Sequence, residues 1–185
     1  MGNTTTAQKK LGLTSRNGDA AGARKAVVED GADVNAAVFW SDGKLGGTCT
    51  AAYVAAACGN TGALGAVLDA PGVDPNKGFA DSGETPCHIA CYRKHPVAVE
   101  LLLARGADPN RADEYEYTPC MFAAFNGATA CLRALAEGAA RQGVALDVNA
   151  VATRGDWKGK TALEVALECF HPGGCRVDAL SLIHI

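Results

Sequence analysis

The sequence predicts an all-α solenoid of about five stacked helix-turn-helix units with projecting β-turn fingers. The main observation is a sequence motif that recurs along the chain, most clearly at Thr85 and Thr118. Copies anchored at Thr50 and Thr161 give successive spacings of 35, 33 and 43 residues. A repeat of this length cannot bury its apolar face alone, so each unit must stack on its neighbours.

The helix boundaries follow from local signals within each unit. Thr85-Pro86 and Thr118-Pro119 are typical helix starts, because the hydroxyl can cap free amides and proline is favoured at the first helical position. Residues 97–103 form a strongly apolar second helix. Gly31 and Gly106 follow second helices, where a positive φ is favoured at the stop. Each unit therefore reads as two short antiparallel helices and a turn.

The third copy of the motif begins with Thr-Pro-Cys-His at Thr85, has alanine at Ala90 and ends with Gly-Ala-Asp-Pro-Asn at Asn110. This motif resembles the ankyrin repeat. The resemblance covers about residues 10–180, and an ankyrin-repeat domain is predicted over residues 10–179. It implies that fingers and first helices form a concave surface for a protein partner. It also gives His88 the role of hydrogen bonding between turns.

The finger residues are the predicted contacts to that partner, because aromatic side chains on adjacent turns are typical of an interaction hot spot. Trp40 is as well explained by packing inside its enlarged finger, whereas Tyr115 and Tyr117 are expected to be exposed. The predicted partner-binding residues are Phe39, Trp40, Phe79, Glu84, Glu114, Tyr115, Tyr117, Trp157 and Lys160.

Composition excludes several other classes. The formal charge is −3 with mixed signs, so no basic stripe for nucleic acid is expected. No catalytic constellation or small-molecule site stands out, and we expect neither enzyme activity nor a cofactor. The eight cysteines lack a paired Cys-x-x-Cys, which favours reduced thiols in a cytoplasmic protein over zinc. The zinc alternatives are Cys87, His88 and Cys91, or Cys169, His171 and Cys175.

The amino-terminal residues 1–9 are predicted to be a disordered tail that carries a lipidation signal. Met1 to Thr6 match the pattern for N-myristoylation at Gly2. A single acyl chain binds membranes marginally, so membrane association is expected to be reversible and to depend on Gly2. The alternative is an unmodified tail.

The carboxy-terminal residues 180–185 resemble the translation of a sequencing adapter, and we expect them to be non-native. The alternative is an apolar segment that caps the stack. The leading functional hypothesis is a protein–protein interaction module, an adaptor or scaffold that is monomeric when intact. The alternative is the regulatory ankyrin part of a larger enzyme, a kinase or ubiquitin ligase, that continues past residue 179.

Overall fold

The structure is a computed structural model that describes residues 3–41 and 46–168. Those ranges contain one two-stranded antiparallel hairpin and nine helices. The strands are β1 (Val38–Ser41) and β2 (Gly46–Cys49). The helices are α1 (Asn3–Asn17), α2 (Ala20–Val28), α3 (Ala51–Ala57), α4 (Thr61–Leu68), α5 (Pro86–Tyr92), α6 (Pro96–Ala104), α7 (Pro119–Phe125), α8 (Thr129–Gln142) and α9 (Ala162–Glu168).

The helices lie in two layers. Helices α1, α3, α5, α7 and α9 pack side by side in the first layer, and α2, α4, α6 and α8 do so in the second. Alanines such as Ala55, Ala90 and Ala123 are fully buried in the first layer, where their small side chains let neighbouring helices approach closely. The mostly helical architecture fits the predicted all-α repeat fold.

Three first-layer helices begin with a threonine cap, which the sequence predicted at Thr85 and Thr118. The hydroxyls of Thr50, Thr85 and Thr118 accept hydrogen bonds from the backbone N–H three residues later. Proline follows the threonine in α5 and α7. Gly31 and Gly106 have φ values of 70° and 85°, which confirms the predicted left-handed stops.

A ladder of asparagines joins successive turns. The side-chain oxygens of Asn35, Asn76 and Asn110 each accept a 2.8 Å hydrogen bond from a backbone N–H of the next turn, at Asp74, Asp108 and Asp147. The aspartate two residues before each asparagine accepts from the asparagine's own N–H. The recurrent Asp-x-Asn therefore satisfies backbone donors both within a turn and between turns.

The prediction of a disordered tail over residues 1–9 is corrected for residues 3–9, which belong to α1. Ala7 is buried, and the Gln8 side chain donates to the carbonyl oxygens of Asp33 and Ala36. These contacts hold the start of α1 against the following turn. Gly2 lies outside the described residues, as do residues 169–185, so the lipidation and adapter predictions concern segments on which the structure is silent.

Two stretches that lengthen individual repeats have regular structure. The enlarged finger after Asn35 forms the β1–β2 hairpin, in which Val38 pairs with Cys49, so the all-α prediction omitted this element. The extra residues near Ala139 lengthen α8 to 14 residues. There the Gln142 amide donates to the carbonyl oxygens of Leu103 and Ala107 and ties the added turn to the preceding unit.

Among the described residues, no helix combines the length and apolar character needed to cross a bilayer.

Candidate functional site

An aromatic groove of about 290 Å³ lies where the turn that carries Tyr115 meets the turn that carries Trp157. It brings together four of the predicted partner-binding residues with five others. The lining residues are Glu84, Tyr92, Asp113, Tyr115, Tyr117, Phe122, Phe125, Asp156 and Trp157.

The rings of the aromatic groove pack on one another. The centroids of Tyr117 and Trp157 are 4.4 Å apart, and Trp157 also contacts Phe125 at 5.0 Å and Phe122 at 5.5 Å. Tyr115 stacks on Tyr117 at 5.6 Å and stays 46% exposed. Tyr117, predicted to be exposed, is half-buried because it lies between Tyr115 and Trp157. Tyr115 is thus an accessible ring on a packed base.

Backbone hydrogen bonds fix the turn that carries Tyr115. One carboxylate oxygen of Asp113 accepts from the N–H groups of Tyr115 and Tyr117, at 2.8 and 2.9 Å. The Nε2 of His88 lies 2.9 Å from the carbonyl oxygen of Tyr117. Because the Thr85 N–H donates to Nδ1 of His88, the ring proton lies on Nε2, which donates to Tyr117. The predicted role of His88 between turns is confirmed.

The turn that carries Gly155 and Trp157 packs closely against Tyr117. The Tyr117 hydroxyl accepts a 3.1 Å hydrogen bond from the N–H of Trp157. Gly155 has φ of 69°, and a Cβ there would come within 2.2 Å of the Tyr117 hydroxyl oxygen. Glycine therefore allows both the left-handed backbone and the close approach that place Trp157 on Tyr117.

Glu84 has a structural contact that the sequence analysis did not anticipate. Its carboxylate accepts a 2.8 Å hydrogen bond from the hydroxyl of Tyr53, which is fully buried. Burial raises the pKa of Glu84, and the bond from Tyr53 opposes that shift. Burial also raises the pKa of Asp113. The two carboxyls therefore lie in partly desolvated positions beside the aromatic rings.

The other predicted residues lie elsewhere. Trp40 is 4% exposed and packs edge-on against Tyr53, which favours its packing role over partner contact. Phe39 is 80% exposed, since successive strand residues face opposite sides of the hairpin. Both line a pocket of about 380 Å³ beside α1, whereas Phe79 and Glu114 line one of about 680 Å³ between turns. Lys160 lines none of the three and forms an ion pair with Glu168.

Four lining residues were not predicted from the sequence: Tyr92, Phe122, Phe125 and Asp156. A usable signal existed for two of them: Tyr92 and Phe125 are 33 residues apart, the same spacing as Thr85 and Thr118. Both end first-layer helices on the groove side. Phe122 carried no comparable signal.

Within residues 3–41 and 46–168, no three His, Cys, Asp or Glu side chains are grouped to hold a metal ion. In the alternative set of Cys87, His88 and Cys91, both His88 nitrogens are engaged by Thr85 and Tyr117. The second alternative set, from Cys169 to Cys175, lies outside the described residues. Of the described cysteines, Cys58 is exposed and the other five are buried.

Residues 87–136 match the family model described as ankyrin repeats in many copies. Ankyrin repeat domain-containing protein 63 of Homo sapiens is 38% identical over 101 residues, which are 55% of this chain and 24% of that protein. The B-cell lymphoma 3 protein homolog of Mus musculus is 32% identical over 100 residues, 54% of this chain and 20% of that protein.

A zinc finger CCCH domain-containing protein 67 of Oryza sativa subsp. japonica is 44% identical over 71 residues, 36% of this chain and 12% of that protein. The chain thus spans a quarter or less of the length of these relatives. The matches confirm the predicted resemblance, and residues 87–136 carry ankyrin repeats. Such repeats are generally protein–protein interaction modules rather than catalysts.

Proposed function

We propose that this chain is an adaptor or scaffold that binds a partner protein through the aromatic groove and the adjoining turns. The observation that carries the proposal is Tyr115, an exposed ring stacked on the half-buried pair of Tyr117 and Trp157. A large side chain already held in place loses little conformational freedom on binding, and this is a property of interaction hot spots.

At the scale of the whole fold, we propose five repeat units whose turns act as fingers and, with the first-layer helices, form the concave binding surface. Four helix pairs followed by α9 support this count. The asparagine ladder supports a common orientation of the fingers, because it joins three successive pairs of turns. Phe39 and Glu114 then supply further exposed contacts along the same array.

The experiment compares capture of partners by the wild-type chain, Tyr115→Ala and Val97→Ala. Val97 is an exposed apolar side chain on α6, 59% accessible, and serves as the matched control away from the groove. We expect a set of proteins retained from cell lysate by wild type and Val97→Ala but lost with Tyr115→Ala. Quantitative mass spectrometry with equally folded baits is the measurement. Identical retention by all three baits contradicts the proposal.

Replacement of Tyr117 or Trp157 is unsuitable for this purpose. Both rings pack in the groove, and the Tyr117 hydroxyl accepts from the Trp157 backbone. An alanine at either position removes packing that holds the two turns together, so lost capture would also follow from local unfolding. Tyr115→Ala removes an exposed ring and leaves its backbone bond to Asp113 in place.

A second proposal is that the repeats serve as the targeting part of a larger enzyme, a kinase or ubiquitin ligase. The observation that favours a larger protein is the small share of each relative that is aligned, down to 12% for the rice zinc finger protein. The sequence of the native transcript beyond the codon for residue 179 tests it. A new catalytic domain supports this proposal, and an early stop codon contradicts it.

We further propose a cytoplasmic monomer whose membrane association, where it occurs, depends on acylation of Gly2. The support is the sequence pattern from Met1 to Thr6. Intact-mass analysis of the mature amino terminus tests this, and an unmodified Gly2 contradicts the membrane proposal.

A further inference from the structure

The aromatic groove combines ring faces with carboxyl groups. Tyr115, Tyr117 and Trp157 supply the rings, and Glu84 and Asp113 supply carboxyls beside them. Its lining, drawn from the described part of the chain, includes no lysine or arginine. The face of an aromatic ring carries negative electrostatic potential, so rings and carboxylates both attract a cation.

The mouth of the aromatic groove is also acidic. Asp156 lines the groove and is exposed, immediately before Trp157. Glu114 and Glu116 are exposed on the turn that carries Tyr115. Lys158 follows Trp157 and does not line the groove. Arg154 and Lys158 are exposed on the turn that carries Trp157 and offset part of this negative charge, so the attraction for a basic side chain is local to the groove, whose lining carries carboxyls and no lysine or arginine.

A cation in the groove would stabilise the charged forms of the two carboxyls that lie beside the rings, Asp113 and Glu84. Asp113 is 7% exposed, and its carboxylate accepts from two backbone N–H groups, which hold it in one orientation beside Tyr117. Burial raises the pKa of both Asp113 and Glu84, because their charged forms are incompletely solvated. A positive group placed between the rings and these carboxyls offsets that cost.

The size of the site and one existing contact indicate what kind of cation fits. A volume of about 290 Å³ has room for a single large side chain. The guanidinium carbon of Arg93, which does not line the groove, lies 5.9 Å from the ring centroid of its sequence neighbour Tyr92, one of the lining residues. Planar guanidinium groups and ammonium groups both bind ring faces in this way.

We propose that the aromatic groove receives the cationic side chain of an arginine or lysine from a basic segment of the partner protein. This inference rests on the proposed function and specifies the chemistry that the partner presents there. An apolar segment that fills the groove without a cation is the competing outcome.

The first test uses a phage-displayed library of random linear peptides selected on the full chain. We expect selected peptides that fail to bind Tyr115→Ala to carry arginine or lysine. Changing that arginine to citrulline, or that lysine to acetyl-lysine, should weaken binding by about tenfold, since this corresponds to the usual worth of a partly desolvated cation–π contact with a charge nearby.

The outcomes separate this inference from the proposed function. Peptides that require Tyr115 but tolerate neutralisation of every basic residue overturn the cation inference and leave the interaction surface standing. A selection that yields no Tyr115-dependent peptide contradicts both.

The second test changes the protein. Asp156→Lys should lower the affinity for a Tyr115-dependent peptide by about tenfold, because it reverses a charge at the mouth of the groove. Asp156→Asn should lower that affinity by about threefold, because it only removes the charge. Glu100→Lys is the matched control, an exposed charge reversal on α6. Equal affinities for Asp156→Lys and Glu100→Lys overturn the inference.

Discussion

His88 donates a hydrogen bond from Nε2 to the carbonyl oxygen of Tyr117, 2.9 Å away, and so ties α5 to the turn that carries Tyr115. The ring is fully buried and neutral, since Nδ1 accepts from the Thr85 N–H. Tyr53 occupies the same repeat position one unit earlier and bonds Glu84 instead. In both units, the third residue after the threonine donates a hydrogen bond to the residue that precedes the threonine of the next unit.

The buried His88 predicts a loss of stability in mild acid. Burial lowers the pKa of His88 from 6.5 to about 4. As pH falls from about 6.5 to 4, His88 becomes protonated in the unfolded chain but stays neutral in the native protein. The free energy of unfolding therefore decreases over this pH range, by a total on the order of 3 kcal/mol. Urea unfolding across this pH range measures the effect.

The comparison that isolates His88 is between wild type and His88→Gln. Glu84 and Asp113 have raised pKa values, so their contribution has the opposite sign and partly masks that of His88 in wild type. The wild-type stability should therefore decline more steeply with acid than that of His88→Gln. Parallel pH profiles for wild type and His88→Gln refute this prediction.

The asparagine ladder predicts unequal effects of two similar substitutions. Asn110 donates to the carbonyl oxygen of Ala145 and accepts from the N–H of Asp147, both at 2.8 Å. Asn110→Ala should lower the free energy of unfolding by about 1–2 kcal/mol. Asn149→Ala should change it little, because within the described residues only the backbone N–H of Asn149 is bonded. Chemical denaturation measures both; similar losses contradict the ladder's role.

Two glycines inside second-layer helices should respond oppositely to alanine. A Cβ on Gly138 in α8 would come within 2.2 Å of Leu103 Cδ1 and 2.9 Å of its Cβ. Gly138→Ala should therefore destabilise the protein by about 1–3 kcal/mol. In α4 the nearest atom to a Cβ on Gly65 is 3.8 Å away, so Gly65→Ala should stabilise by about 0.5–1 kcal/mol. Thermal unfolding midpoints that shift in the same direction would disprove this pairing.

Native-state alkylation should distinguish the cysteines. Burial raises the pKa of Cys49 and of Cys120 to about 12, whereas Cys58 is exposed. Since the thiolate is the reactive form, iodoacetamide at neutral pH should modify Cys58 and spare Cys49 and Cys120 until denaturant is added. Peptide mass spectrometry reads each site. Comparable labelling of Cys49 and Cys58 in the native protein would count against the packing described.

The regular parts of the fold were predictable because their signals are local. The Thr-Pro starts at Thr85 and Thr118 and the stop at Gly106 depend on capping and backbone preference within one turn. The helical start over residues 3–9 was missed, because its support comes from Gln8 bonds to a turn 25 and 28 residues later. The β1–β2 hairpin was missed for a related reason, since Trp40 is fixed by Tyr53 in a following helix.

The candidate site was predictable only in part. Aromatic residues on adjacent turns correctly drew attention to Tyr115, Tyr117 and Trp157, which the structure brings together. The sequence could not show that Glu84 accepts a hydrogen bond from Tyr53, nor that Gly155 lies against the Tyr117 hydroxyl. Both contacts join residues more than 30 positions apart.

The most direct test of the interaction surface is hydrogen exchange of the chain with and without a captured partner. We expect binding to slow exchange over residues 113–118 and 155–160, the turns that form the aromatic groove, and to leave α6 and α8 unchanged. Protection confined to α6 and α8, on the second layer of helices, would contradict the account.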